Sequence, residues 1–218
     1  YSINFISDEI YALSTFQNTI DQDMDMAPFE SVLSVDPSGI IDPALVHVIW
    51  GISKDFGANG LRLGAIISQN NPGLHQALVP PSLYTSSSSI SDHVVANILE
   101  DDAWIDEYIA QNRKKLAESY EHVVQWARNH GIEYAPGVNA AFFLWVNLGK
   151  AYCKTHASGL DSENIDQTVN GLLIKHKVFL ASGIQFGSEE PGWFRIVFTQ
   201  RRDHLDEGLR RIVTAILA

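Results

Sequence analysis

Lys54 lies in a loop marked by Gly57, Gly60 and Gly64, with Arg62 eight positions further on. It is the first Lys or Arg of the chain, although Asp and Glu recur before it. Asp8 and Tyr11, in SDEIYA, and Arg195, inside WFRIVF, are the other side chains with chemistry to offer. A lysine amine is a nucleophile and a base, and a guanidinium binds carboxylate or phosphate with two parallel donors. Each residue also has a plainer reading. Lys54 can be a solvated cation, Asp8 a turn or helix-cap residue, and Arg195 half of a structural ion pair or an outward-facing edge residue.

The surrounding elements weigh on that choice. Apolar runs around 46–49 and 63–67 predict two short buried strands, which would pin the Lys54 loop against a core. Tyr1 to Ile6 reads as a strand ending near Ser7, which puts Asp8 at a strand end. Residues 16–42 are acidic and turn-rich, with one weak strand at 29–35. Asp21, Asp23 and Asp25 lack the glycine and terminal acid of a calcium loop, so they read as a solvated face and no metal site is expected. Residues 69–83, with Pro72, Pro80 and Pro81, and the serine run 86–89 read as a loop that feeds a helix capped by Ser91 or Asp92. Apolar positions recur at helical spacing from Val94 to Ala127, with a break at 100–102 and a stop at Gly131. Beyond it strands and helices alternate: strands at 132–134, 140–146, 178–180 and 193–198, and helices at 165–177 and 204–217.

Composition limits the alternatives. The 218 residues are 45% hydrophobic and carry a formal charge of −11, which argues against generic binding to nucleic acid or to an anionic membrane. Cys153 is the single cysteine, so no internal disulfide can form. Without a signal peptide or a membrane-spanning run in the sequence, a cytoplasmic enzyme is the default expectation.

The segment SKDFGANGLRLG, from Ser53 to Gly64, resembles the cofactor-lysine motif of fold-type I pyridoxal-phosphate (PLP) enzymes. Its wording is similar to that of the 1-aminocyclopropane-1-carboxylate (ACC) synthase-like branch of the class I/II aminotransferases. NAAFFLWVNL and the Phe-Arg-x-x-Phe of WFRIVF are similar to the same family. The resemblance implies an α/β fold, with residues 1–103 the C-terminal part of the large PLP-binding domain and 104–218 an α+β small domain. It implies that Lys54 carries the cofactor, that Asp8 pairs with the ring nitrogen, and that Tyr11 donates to the phenolic oxygen. Ser53 and Arg62 would hold the phosphate, and Arg195 the α-carboxylate of an amino-acid substrate.

The same resemblance implies a homodimer acting on an α-amino acid and, for amino transfer, a 2-oxo acid. Two departures stand out. Many relatives carry a serine three positions before the lysine, where this chain has Gly51. The family's glycine-rich phosphate loop and ring-stacking aromatic belong to an N-terminal half that is not in this sequence, so 1–218 alone is expected to bind PLP poorly. Amino transfer, a carbon–sulfur or ACC-synthase-like lyase reaction, and a non-catalytic descendant of the fold all stay open.

Overall fold

This computed structural model describes residues 3–156 and 164–218. The chain forms two compact units, Tyr1–Thr15 with Ala27–Arg113, and Phe16–Met26 with Lys114–Ala218.

The first unit is built on a three-stranded sheet of order β1 (Phe5–Asp8), β2 (Val46–Gly51), β3 (Gly64–Ile67). β1 runs parallel to β2, with Asp8 opposite Ile49, and β3 runs antiparallel, with Gly64 opposite Gly51. Val46, His47 and Val48 are buried in the central strand. β3 is not the buried strand its apolar run predicts: every residue of it is exposed, because it is paired on one side only. A short apolar run reports strand propensity without reporting which neighbours cover it. A single helical turn, α1 (Ile52–Asp55), follows β2.

Three other expectations change here. The weak strand at 29–35 is replaced by a 3-10 turn over Val32–Ser34, because the Ser31 side chain accepts from Leu33 N and caps it. The proline-containing stretch read as a loop is a helix, α2 (Pro72–Tyr84). Asn71 caps it by accepting from Leu74 N at 2.8 Å, and Pro72 occupies the first turn, where no N–H is needed. The next helix, α3 (Ser89–Leu99), starts after Ser88, ahead of the expected caps.

The break at 100–102 is where the periodicity puts it. Asp101 Oδ1 accepts from Trp104 N at 3.0 Å and starts the long helix α4 (Asp102–Asn129). The expected division at 103/104 falls at the head of this helix, and the two units part within it. α4 ends as Gly131 turns left-handed (φ 63°), with Gly131 N donating to Arg128 O and Ile132 N to Ala127 O.

The second unit holds a four-stranded antiparallel sheet of order β4 (Glu133–Tyr134), β5 (Phe143–Asn147), β7 (Trp193–Val197), β6 (Ala181–Ser182). α5 (Leu148–His156), α6 (Ile165–Lys175) and α7 (Arg202–Ile216) complete it. β6 forms just after the expected 178–180, where the chain meets β7 in register. Alternation sorts the strands: Leu144, Val146, Phe194 and Ile196 enter a core with Val123, Val124, Leu205, Leu209 and Ile212. Burying each such side chain contributes about 1.5–3 kcal/mol. Phe143, Trp145, Arg195 and Val197 take the other face.

Asp21 overturns the reading of its segment as a solvated face. Asp23 and Asp25 are exposed, but Asp21 is buried. Its carboxylate accepts from Asn18 Nδ2 (2.9 Å), Tyr120 Oη (2.6 Å), Tyr134 Oη (2.7 Å), Gly137 N (3.1 Å) and Arg128 Nη2 (2.9 Å). Five donors from three parts of the unit repay the loss of water, which sequence spacing could not reveal.

Candidate active site

The ends of β1 and β2 and the start of β3 lie at one end of the first sheet. Parallel strands commonly present a ligand site at their carboxyl ends. Asp8 is the last residue of β1, Lys54 sits in α1 directly after β2, and Arg62 comes just before β3. The Lys54 side chain is exposed, as its plainer reading expects, yet its backbone is fixed from both sides: Ile52 is fully buried and Asp55 is 2% exposed. Lys54 Nζ lies 5.8 Å from the centre of the Tyr11 ring, within cation–π range.

The neighbours show how that turn is held. Asp55 Oδ1 accepts from Ser14 Oγ at 2.6 Å, and Oδ2 accepts from Leu13 N at 3.2 Å and Trp50 Nε1 at 2.9 Å. Sequence reasoning passed over Asp55, Ser14 and Trp50, because their partners lie in three separate stretches. On the other side of the turn Phe56 stacks on Tyr108 at 5.1 Å and an 8° interplanar angle, and Trp104 stacks on Tyr108 at 5.0 Å.

Gly51 has a packing reason. Its backbone is extended (φ −169°), but a Cβ there would come within 3.2 Å of Leu63 O and 3.3 Å of both Gly64 Cα and Ile10 Cδ1. Ser53 is half-buried beside Lys54. Arg62 is exposed and left-handed (φ 53°, ψ 42°), and its Nη1 donates to Asn59 O at 3.1 Å. Asp8 is exposed, and its Oδ1 accepts from Ile10 N at 3.3 Å, the turn role its position suggests. The first unit therefore brings Tyr11 and Lys54 together and sets Asp8, Ser53 and Arg62 at the same end of the sheet.

Arg195 belongs to the second unit. In β7 it pairs with Trp145 on one side and Ala181 on the other. Its guanidinium carbon lies 4.8 Å from the Phe143 ring centre and 4.3 Å from that of Phe186. Arg195 Nε is buried and has no hydrogen-bond partner among the described residues. A buried donor left unpaired is costly, so this one fits a site that awaits an anionic partner better than a structural ion pair. Phe143 and Phe186 were not foreseen in this role; no spacing rule links them to Arg195.

The residues fit a cofactor that needs an amine, a carboxylate and a phenol at one sheet end, and a carboxylate ligand at the orphaned Nε. Among the described residues no helix is long and apolar enough to cross a membrane.

The family profile described as aminotransferase class I and II matches residues 1–212. ACC synthase-like protein 1 of Mus musculus is 34% identical over 215 residues, covering 97% of this chain and 39% of that protein. The probable aminotransferase aclI of Aspergillus oryzae is 33% identical over 217 residues, covering 98% of this chain and 49% of that one. The chain thus spans less than half the length of these curated relatives. Among solved structures, the aromatic aminotransferase from Pyrococcus horikoshii superposes with a TM-score of 0.73 at 21% identity, covering 96% of this chain and 49% of that one. That likeness establishes a shared α/β fold.

Proposed function

The chain belongs to the class I and II aminotransferase family, and from that membership we propose that it supplies the lysine-bearing part of a PLP enzyme that moves the amino group of an α-amino acid to a 2-oxo acid. The observation that carries the reading is the Lys54 amine set over the Tyr11 ring, on a buried turn at the carboxyl end of β2. PLP, when bound, supplies an aldehyde that condenses with amines and a ring that takes up the electron pair left at the substrate α-carbon.

The chain's own groups divide the remaining work. Lys54 Nζ would be the amine that holds the cofactor, and the same amine is the chain's candidate base for the substrate α-proton. Asp8 would pair with the ring nitrogen and keep it protonated, Tyr11 would donate to the phenolic oxygen, and Ser53 and Arg62 would hold the phosphate. Arg195 orients the substrate through its α-carboxylate. Residues 1–103 then serve as part of the cofactor domain and 104–218 as the small domain.

Amino transfer is favoured over the lyase reactions by relatives such as the aclI protein, named a probable aminotransferase. The reading also includes an upstream half of the same protein and a homodimer. The exposed apolar side chains of β3 and α2, Ile66, Ile67, Val79 and Leu83 among them, offer surface for such partners. A cytoplasmic setting fits the lone Cys153.

A second reading has an observation of its own. A Mus musculus relative at 31% identity is named a probable inactive ACC synthase-like protein. A non-catalytic descendant would have no use for the whole set Asp8, Tyr11, Lys54, Arg62 and Arg195, which no folding requirement demands together.

The test uses the intact protein. Addition of PLP is expected to produce a visible absorbance that Lys54→Ala abolishes; the same absorbance in both proteins would refute the assignment of Lys54. A panel of amino acids, read out as keto acid, thiol or ammonia release, then separates transfer from the lyase reactions.

A further inference from the structure

We infer that Asp55 is the positioning residue that holds Lys54 opposite Tyr11, by tying the Tyr11 loop and the end of β2 to the lysine turn; this rests on the PLP reading above. Three observations converge on it. First, α1 is four residues long and its N-cap is Gly51, which provides no side-chain cap. A helix that short has no stability of its own, so its orientation is set from outside.

Second, beside the burial of Ile52 and the bond from Ile52 N to Leu63 O at 3.4 Å, the contacts that anchor it from outside are those of Asp55. One oxygen accepts from Ser14 Oγ, and the other from Leu13 N and Trp50 Nε1. Leu13 and Ser14 directly follow the segment that bears Tyr11, and Trp50 is the penultimate residue of β2. A single carboxylate therefore fastens the Tyr11 loop, the strand end and the lysine turn to one another. From the far side Tyr108 Oη donates to the Asp55 carbonyl at 3.3 Å, and the Tyr108 ring is stacked on Phe56 and Trp104.

Third, among the described residues no hydrogen bond or ion pair is made by the Lys54 amine. Its place over the Tyr11 ring follows from where the backbone puts it. A residue that is buried, acidic and surrounded by neutral donors is poorly explained by packing alone, since an apolar side chain would fill the space without the desolvation cost. It is well explained by a need for three acceptor contacts and no donor. Asparagine has nearly the same shape but turns an NH2 group toward at least one of those donors.

The experiment uses the intact protein with PLP as probe, comparing wild type with Asp55→Asn, Ser14→Ala and Ser14→Thr. Capture is read as the rate at which PLP becomes fixed to Lys54 on borohydride reduction, located by peptide mass. Hydrogen exchange of peptides covering 9–16, without PLP, reads the clamp itself. Asp55→Asn is expected to speed that exchange and to slow capture by on the order of ten-fold or more, since displacement of a reacting group by about 1 Å costs up to about a hundred-fold. Ser14→Ala is expected to show a smaller loss of both kinds, and Ser14→Thr to restore them.

A clamp variant that lowers the urea midpoint while capture stays at the wild-type rate reduces Asp55 to a structural role and overturns the inference. Unchanged exchange in 9–16 overturns it as well. Should Asp55→Asn fail to fold, Ser14→Ala with its threonine rescue decides by the same two readouts. A wild type that never fixes PLP at Lys54 refutes the cofactor reading instead, which keeps the two failures apart.

Discussion

The Arg195 guanidinium carbon lies over the Phe186 ring, 4.3 Å from its centre, and over the Phe143 ring at 4.8 Å. Two rings thus contact the guanidinium, while among the described residues its Nε has no hydrogen-bond partner. On the proposed role of Arg195, Phe186→Ala removes the nearer of these two contacts. A partly desolvated cation–π contact is worth about 0.5–2 kcal/mol. The expected effect is a KM for the amino-acid substrate raised by roughly 2- to 30-fold with little change in kcat, as for loss of uniform binding. Steady-state kinetics of the intact protein check this, and an equal fall in kcat at constant KM would count against the role.

Gly51 closes β2 without a side chain. An added Cβ would press on Leu63 O and Gly64 Cα, both backbone atoms that cannot rotate away. Gly51→Ala and Gly51→Ser are therefore each expected to destabilise the fold by about 1–3 kcal/mol, the usual cost of overpacking. Urea unfolding measures it. A neutral result would mean that β3, an edge strand, shifts to admit the side chain.

A close backbone approach in the second unit lies at the entry to β7. Gly192 has φ 89°, and a Cβ on it would meet Asn147 Oδ1 at 2.8 Å and Gly149 Cα at 2.9 Å. Its N–H donates to the buried Asp166 at 3.0 Å, and its carbonyl accepts from Gly149 N at 3.0 Å. Gly192→Ala combines a strained φ with overpacking and is expected to cost about 3 kcal/mol or more. Because Gly192 leads directly into Trp193 and Arg195, a variant that stays folded should also bind substrate less well.

How much of this was legible in the sequence depends on the range of the interaction. α7 was readable because Leu205, Leu209, Ile212 and Ile216 recur at its own spacing, and α4 because Asp101 and Gly131 bracket it. The candidates Ser53, Lys54 and Arg62 were read from SKDFGANGLRLG, a local motif, and Asp8, Tyr11 and Arg195 from shorter ones. α2 was missed because two prolines outweighed the Asn71-Pro72 start signal. The burial of Asp21 and the Asp55 clamp were hidden because partners 40 or more residues away decide them, Tyr120 for Asp21 and Leu13 and Ser14 for Asp55; the exposure of β3 was hidden because no local pattern tells which strand lacks a second neighbour.

The Asp21 knot makes acid stability measurable at one residue. Burial alone would push its carboxyl up, but hydrogen bonds from Tyr120, Tyr134, Asn18 and the Gly137 N–H outweigh burial and hold it down at about 2, from an ordinary 3.8. A carboxyl whose value is lower in the folded state stabilises the fold above the unfolded value, and that stability is lost as pH falls through the folded one. The shift corresponds to about 2 kcal/mol, present above about pH 4 and gone below about pH 2. Glu207 is also held near 2 by Arg210 and Arg211, but it is exposed and contributes equally in both proteins compared. Urea midpoints of wild type and Asp21→Asn from pH 7 to pH 2 therefore isolate Asp21. The variant is expected to be less stable at neutral pH, with an NH2 group facing donors, and the gap to wild type is expected to close as acid protonates the wild-type carboxyl. A gap that stays constant down to pH 2 would show that the Asp21 charge contributes nothing beyond its shape.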